Sequence, residues 1–357
     1  MNAAEHLHEL GQRLWIDNIT RAMLGDGTLR RYIGELAVTG LTSNPTIFEK
    51  AISDTDMYDQ DIRNKAAAGK KGESLFFELA LDDLGRAADL FLPIHRASHG
   101  IDGWVSLEVS PLLLDDTAAT LSQARDLHGR AQRANVLIKI PGTPAGIAAI
   151  EESIFAGIPV NVTLLFSCEQ YLAAAEAYLR GIARRVAAGL DPRVGSVASL
   201  FVSRWDVAVK DKVPQAMSNK LGIAVAQRTY QAYRELLASP RWRKLAEAGA
   251  EPQRLLWAST GTKDPKARDT LYLEALAAPN TVNTIPEKTL LAFADHGIVN
   301  GSMPTDGGDS EKVIAAFAEA GIDYAALALQ LQREGGESFS KSWQGLMDKI
   351  AGKSAKV

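Results

Sequence analysis

A closed (β/α)8 barrel of the α/β class, a TIM barrel with additional helices, is the fold this sequence predicts. Three observations carry that expectation. About eight short β-rich runs alternate with helix-length amphipathic segments. The chain has 357 residues, more than the ~250 of a plain barrel, which leaves room for insertions. Several runs carry polar residues inside otherwise apolar stretches, and an outer jacket of helices forces such residues toward a barrel interior. An open doubly wound sheet shares the alternation, but the polar strand residues favour the barrel. Length alone, at roughly 150 residues per domain, suggests two domains. The motif order instead favours one barrel domain over 1–357, with helical decoration around 205–250 and 305–350.

The expected strands, in order, begin with Arg13 to Asp17, Ala37 to Leu41, Gly103 to Val109 and Asn135 to Ile140. Pro159 to Leu164, Val194 to Val202, Arg254 to Ser259 and a weak eighth near Thr281 to Thr284 complete the set. Between them, Asn44-Pro45 places proline at the first position of a helix after the second strand. Ala66 to Glu73 is polar and reads as a loop. Ser74 to Leu92 shows Leu75, Leu79, Asp82 and Arg86 at helical spacing with one wet face. Asp115, Asp116 and Thr117 are cap candidates for a helix through Arg133. Ser167 and Gln170 form a capping box ahead of Tyr171 to Val186, which Gly189 and Pro192 then close. Ser203 to Leu237 and Ser310 to Lys349 are helical additions, and Gly352 to Val357 reads as a frayed end.

Composition excludes several classes. Apolar residues make up 46% and charged residues 23%, the profile of an ordinary globular chain rather than a disordered one. With 39 basic and 43 acidic residues the formal charge is −4, against a nucleic-acid surface. Cys168 is the single cysteine, so neither an intrachain disulfide nor a cysteine zinc site is available. No run is long enough to span a bilayer and the start lacks a signal-peptide pattern, so a cytoplasmic protein is expected. Phosphate-loop and dinucleotide fingerprints are missing, and the six tryptophans are scattered. His95 and His99 stand at i, i+4, but no HExxH pattern accompanies them. Pro93 and Gly100 bracket them as helix-end residues, so no metal is expected.

The chemistry is expected where strands carry polar residues. Strand alternation puts Asn161 with Thr163, Ser106 with Glu108, and Ser199 with Phe201 on shared faces. Lys139 stands near the end of a strand of Val, Leu and Ile. Singly, each has a plainer reading: a solvated strand end, a packed hydroxyl, half of a structural ion pair. Together in one barrel mouth, a buried Lys, Glu and Asn each incur desolvation, which favours a use. A free lysine has a pKa of about 10.4, so roughly one amine in two thousand is unprotonated at pH 7. Desolvation frees more amine, which can attack a ketone and form an iminium. That iminium is an electron sink for carbon–carbon cleavage, and Asp17 or Glu108 can move the protons. The scheme needs no cofactor. Ser259 to Pro265, read as opening a helix, offers hydroxyls, backbone N–H groups and Lys263 to an anion; Arg204 adds a fork donor.

These stretches resemble the transaldolase family in its longer bacterial form. The match runs through LWIDNITR at Asp17, GLTSNPTIF at Thr42 and Asn44, VSLEV at Ser106 and Glu108, and VLIKIPGT at Lys139. It continues through VNVTLLFS at Asn161 and Thr163, SLFVSRWD at Ser199, Phe201 and Arg204, and WASTGTKDP at Ser259. The resemblance implies a class I Schiff-base barrel that transfers dihydroxyacetone from sedoheptulose 7-phosphate to glyceraldehyde 3-phosphate. Erythrose 4-phosphate and fructose 6-phosphate are the products, in the non-oxidative pentose phosphate pathway. By similarity Lys139 forms the Schiff base, Asp17 moves the proton on the substrate hydroxyl, and Glu108 with Thr163 and a water shuttles protons at the carbinolamine. Thr42, Asn44 and Asn161 would hold the dihydroxyacetone hydroxyls, Ser106 joins the substrate-binding set, and Ser199 and Phe201 line the sugar channel. Arg204 would meet the phosphate. Shorter members place an arginine two residues after the serine matching Ser259; here that position is Gly261, and Lys263 is the nearest cation. The expected partners are phosphorylated ketoses and aldoses, with neither nucleic acid nor membrane, and a monomer or homodimer. A Schiff-base lyase that releases free dihydroxyacetone and a non-catalytic phosphosugar-binding barrel are the alternatives.

Overall fold

The computed structural model describes residues 2–355. Eight parallel strands close into a barrel in chain order. They are β1 (Arg13–Asp17), β2 (Val38–Thr42), β3 (Val105–Glu108), β4 (Val136–Pro141), β5 (Val160–Leu165), β6 (Ser196–Phe201), β7 (Arg254–Ala258) and β8 (Val282–Ile285). β8 pairs with β1 to complete the ring. Each expected strand is present, the first with the expected bounds and the others within two residues at their ends. β3 is shorter than Gly103 to Val109 because Gly103 is held at φ 77 by its N–H bond to the Thr39 carbonyl. The outward faces are mostly Val, Leu and Ile and bury against helices, the arrangement parallel sheets require.

The caps follow the sequence. Asn44 accepts from Ile47 N ahead of the helix Pro45–Ser53, and Asp116 accepts from Ala119 N ahead of Thr117–Ala131. Ser167 and Gln170 form the reciprocal capping box of Cys168–Ala187. Several expectations change. Residues 66–73 are a loop only between helices Asp59–Ala67 and Gly72–Ala97. The latter continues through Pro93, because the apolar stripe of Leu84, Ala87, Ala88 and Phe91 packs on the barrel and outweighs the lost N–H bond. His99 and Gly100, both left-handed, end it, so His95 lies in its last turn and His99 outside it. The segment from Ser203 splits into Ser203–Val209 and Leu221–Ala238 around Pro214. No helix opens at Lys263: Asp264 closes an isolated turn on Lys266 N, and Lys266 to Asp269 offer no apolar face before the short helix Leu271–Ala275.

The helix Tyr324–Ser354, 31 residues and about 46 Å long, crosses the C-terminal ends of the strands. Its start stacks Tyr324 on Trp205, and its later turns pack Trp343 edge-on against Phe76. The expected frayed end at Gly352 is helical to Ser354, because Lys353 is bound to the Thr55 carbonyl and the Asp59 carboxylate; the last two residues lie outside the described ones. No single helix among the described residues is long and apolar enough to cross a membrane.

The barrel floor is a charged plug. Asp102 is buried between Arg13 at 3.4 Å and Arg254 at 3.5 Å, and the Trp15 indole donates to it at 3.0 Å. The Trp15 ring fills the space beside β2, where a Cβ on Gly40 would lie 2.6 Å from the indole. Gly40→Ala is therefore expected to lower stability by about 1–3 kcal/mol through overpacking, read from the urea midpoint.

Candidate active site

Parallel register sets the level of the candidate site above the plug. Asp17 lies opposite Thr42, Thr42 opposite Ser106, Glu108 opposite Lys139, and Lys139 opposite Asn161. These side chains point inward because each strand alternates and its other face is apolar. Lys139, with a side chain 6% exposed, holds its Nζ 3.3 Å from Glu108 Oε2. The same ammonium donates to the Ser43 carbonyl at 3.3 Å. Apart from that ammonium, neither Glu108 oxygen has a hydrogen-bond partner, and the Thr163 hydroxyl has none.

Asp17 stands at the rim. The Thr42 hydroxyl donates to it at 2.7 Å and is itself paired with the Thr284 hydroxyl. Burial raises the Asp17 carboxyl above the usual range, while Lys139 and Thr42 pull it back. Burial likewise raises Glu108, again opposed by Lys139. Two carboxyls with raised affinity for protons beside one lysine suit proton transfer near neutral pH.

A cavity of about 150 Å3 opens on Lys139. Asp17, Thr42, Asn44, Ser199, Phe201, Arg204, Ser259 and Lys263 line it. Asn161 lies deeper, donating to Ser106 Oγ at 3.1 Å and accepting from Ser199 Oγ at 2.7 Å, so β3, β5 and β6 are tied across the interior. Arg204 makes no ion pair with neighbouring Asp206, which accepts instead from Tyr272 and from the N–H groups of Leu221 and Gly222. The Arg204 guanidinium lies over the Phe201 ring at 5.1 Å. Ser259 takes a left-handed φ of 55 and shares a hydrogen bond with Ser203. Lys263 is exposed on a loop and also borders a larger cavity of about 530 Å3 with Lys210 and Lys266.

Four site residues escaped the sequence reading. Ser43 and Thr284 adjoin residues it singled out, and the alternation in the weak eighth strand would have turned Thr284 inward. Pro286 follows that strand. Phe339, from the C-terminal helix, carries no local signal; its ring lies 5.8 Å from Lys139 Nζ. His95 does not converge with His99 on a ligand: its Nδ1 pairs with the Asp102 carbonyl, and its ring meets Trp104 edge-on.

Residues 14–350 match the family model described as Transaldolase/Fructose-6-phosphate aldolase. A curated transaldolase of Arthrobacter sp. (strain FB24) is 43% identical, over 98% of this chain and 96% of its own. The transaldolase of Thermobifida fusca is 42% identical over 97% of each chain. That of Thiobacillus denitrificans is 42% identical over 98% of this chain and all of its own.

The raised Asp17 carboxyl has a stability consequence. Its folded pKa lies above its unfolded value, so its contribution is fullest below about pH 4 and is lost as pH rises through the folded pKa. Asn can still accept from Thr42, and Glu108 still pairs with Lys139. Asp17→Asn is therefore expected to gain stability relative to the parent between pH 4 and pH 7.5, measured by denaturant unfolding at both.

Proposed function

The chain belongs to the transaldolase/fructose-6-phosphate aldolase family, and on that footing we propose that Lys139 is the residue on which its reaction runs. It has transaldolase function: a transferase that moves a dihydroxyacetone unit between phosphorylated sugars through a lysine Schiff base. The donor and acceptor are sedoheptulose 7-phosphate and glyceraldehyde 3-phosphate, and the products are erythrose 4-phosphate and fructose 6-phosphate, in the non-oxidative pentose phosphate pathway. The observation that carries the assignment to Lys139 is its burial at the barrel mouth with Glu108 at 3.3 Å and the Asp17–Thr42 pair beside the same cavity.

In this reading the Lys139 amine adds to the ketose carbonyl, and Glu108 carries protons to and from the carbinolamine oxygen as water leaves. The buried Thr163 hydroxyl, free of a protein partner, is available to a water in that relay. Asp17 takes the proton from the C4 hydroxyl as the C3–C4 bond breaks. The iminium accepts the electron pair, leaving an enamine on Lys139. The aldose product departs, the acceptor aldehyde takes its place, and Asp17 returns the proton as the new bond forms. Water then adds to the iminium carbon with Glu108 moving the protons, the carbon–nitrogen bond breaks, and the product ketose leaves Lys139 as the amine. Thr42 at the end of β2, Asn44 at the start of the helix that follows, and Asn161 on β5 meet the dihydroxyacetone hydroxyls. Ser199, Ser106 and Asn161 hold the inner end of the site, and Phe201 walls the channel.

The phosphate subsite in this reading joins Arg204, Ser259 and Lys263. Arg204 supplies a planar fork, and Lys263, two residues beyond the Gly261 position where shorter members carry arginine, a mobile point charge. Without a helix start at Lys263, side chains and the strained turn at Ser259 do this work. A cytoplasmic setting accords with a single cysteine, Cys168, that is buried and free.

Two measurements test the assignments. Incubation with fructose 6-phosphate followed by borohydride should leave a reduced adduct on the Lys139 peptide by mass spectrometry; an adduct only elsewhere removes Lys139 from its role. Lys263→Ala should raise KM roughly threefold to tenfold for phosphorylated acceptors, with little change for free glyceraldehyde. Equal effects on both acceptors count against a phosphate role.

A further inference from the structure

The C-terminal helix Tyr324–Ser354 is fastened over the site by specific contacts. Gln332 Nε2 donates to the Gly142 carbonyl at 3.0 Å and to the Leu164 carbonyl at 2.9 Å. The second acceptor is free because β5 bulges: the register with β6 breaks between Val162 and Leu165, and Leu164 takes a left-handed φ of 57. Two glycines let the helix settle. A Cβ on Gly335 would lie 2.8 Å from Leu164 Cδ2 and 3.2 Å from Arg204 Nη1, and one on Gly336 would lie 2.7 Å from Leu114 Cδ1.

That docking delivers Phe339 to the cavity. The residue is 4% exposed and lines the same wall as Lys139 and Arg204. Its ring centroid lies 5.8 Å from Lys139 Nζ and 6.0 Å from the Arg204 guanidinium carbon. An aromatic face at this range tolerates a cation on Lys139 but gives water nothing to bind.

We propose that Phe339 is a specificity-determining residue: its ring keeps water from C3 of the enamine held on Lys139, so that C3 bonds to an aldehyde rather than taking a proton, while water reaches C2 from the Glu108 and Thr163 side. The inference rests on the Schiff-base reading above. The competing step is balanced without a further reactant. The enamine takes a proton at C3 and becomes the iminium; water adds at C2; the carbon–nitrogen bond breaks. Free dihydroxyacetone leaves, the Lys139 amine is restored, and the borrowed proton is returned. Keeping water from C3 while the enamine stands suppresses the first of these steps.

The test is the ratio of free dihydroxyacetone to transferred dihydroxyacetone, with fructose 6-phosphate as donor and an aldose phosphate as acceptor. Phe339→Ala should raise the ratio about tenfold, and Phe339→Leu, which refills most of the space, about threefold. Borohydride should still trap the adduct on Lys139 in both. An unchanged ratio, including a proportional loss of both activities, overturns the proposal. If Phe339→Ala does not fold, Phe339→Leu alone decides by the same criterion. Failure to trap wild type at Lys139 overturns both this inference and the Schiff-base assignment; trapping at Lys139 with an unmoved ratio overturns this one alone.

Discussion

Lys139 and Glu108 bring an ammonium and a carboxylate into the barrel interior, 3.3 Å apart and almost wholly removed from solvent. Such a pair costs much of its mutual attraction in lost hydration. The surrounding structure is what makes it tolerable. The Ser43 carbonyl takes a second ammonium proton, and the register of β3 against β4 holds the partners opposite one another. Asp17 adds a second carboxylate near the same cation, and its raised proton affinity shows how far burial outweighs that attraction. Burial costs stability at this level, and the apolar jacket outside the strands compensates.

Above this level the site is completed by an element remote in the chain. The C-terminal helix reaches the mouth because Gln332 finds two strand-end carbonyls, one of them released by the bulge at Leu164. The bulge and the helix explain each other: a carbonyl turned out of its ladder needs a donor, and a roof needs an anchor.

The eight strands were legible because each is a short branched-chain run with turn residues beside it, and strand alternation turned Lys139, Glu108 and Asn161 inward without further information. The capping box at Ser167 and Gln170 was equally local. What could not be read depends on tertiary contact. Phe339 sits in a helix whose own periodicity says only that it is amphipathic, and its place over Lys139 is settled by Gln332 and two glycines. The region after Ser259 has the composition of a helix start but lacks an apolar stripe to bury, so it closes one turn and stops. Pro93 shows the reverse, a helix breaker overruled by the packing of Phe91 and its neighbours. The strained φ at Ser259 belongs to the same class, since no residue type there demands it.

The charged plug beneath the site bears on the order of events. With Asp102, Arg13, Arg254 and Trp15 filling the floor, molecules exchange with solvent at the mouth where the C-terminal helix lies. The aldose formed from the donor and the aldose that accepts the unit then share one doorway and, on the proposed reading, one phosphate subsite. They take turns rather than meet, and each occludes the other's entry. An excess of either sugar would hold the enzyme in a single half of its cycle, so flux in both directions is tied to the balance of the two aldoses.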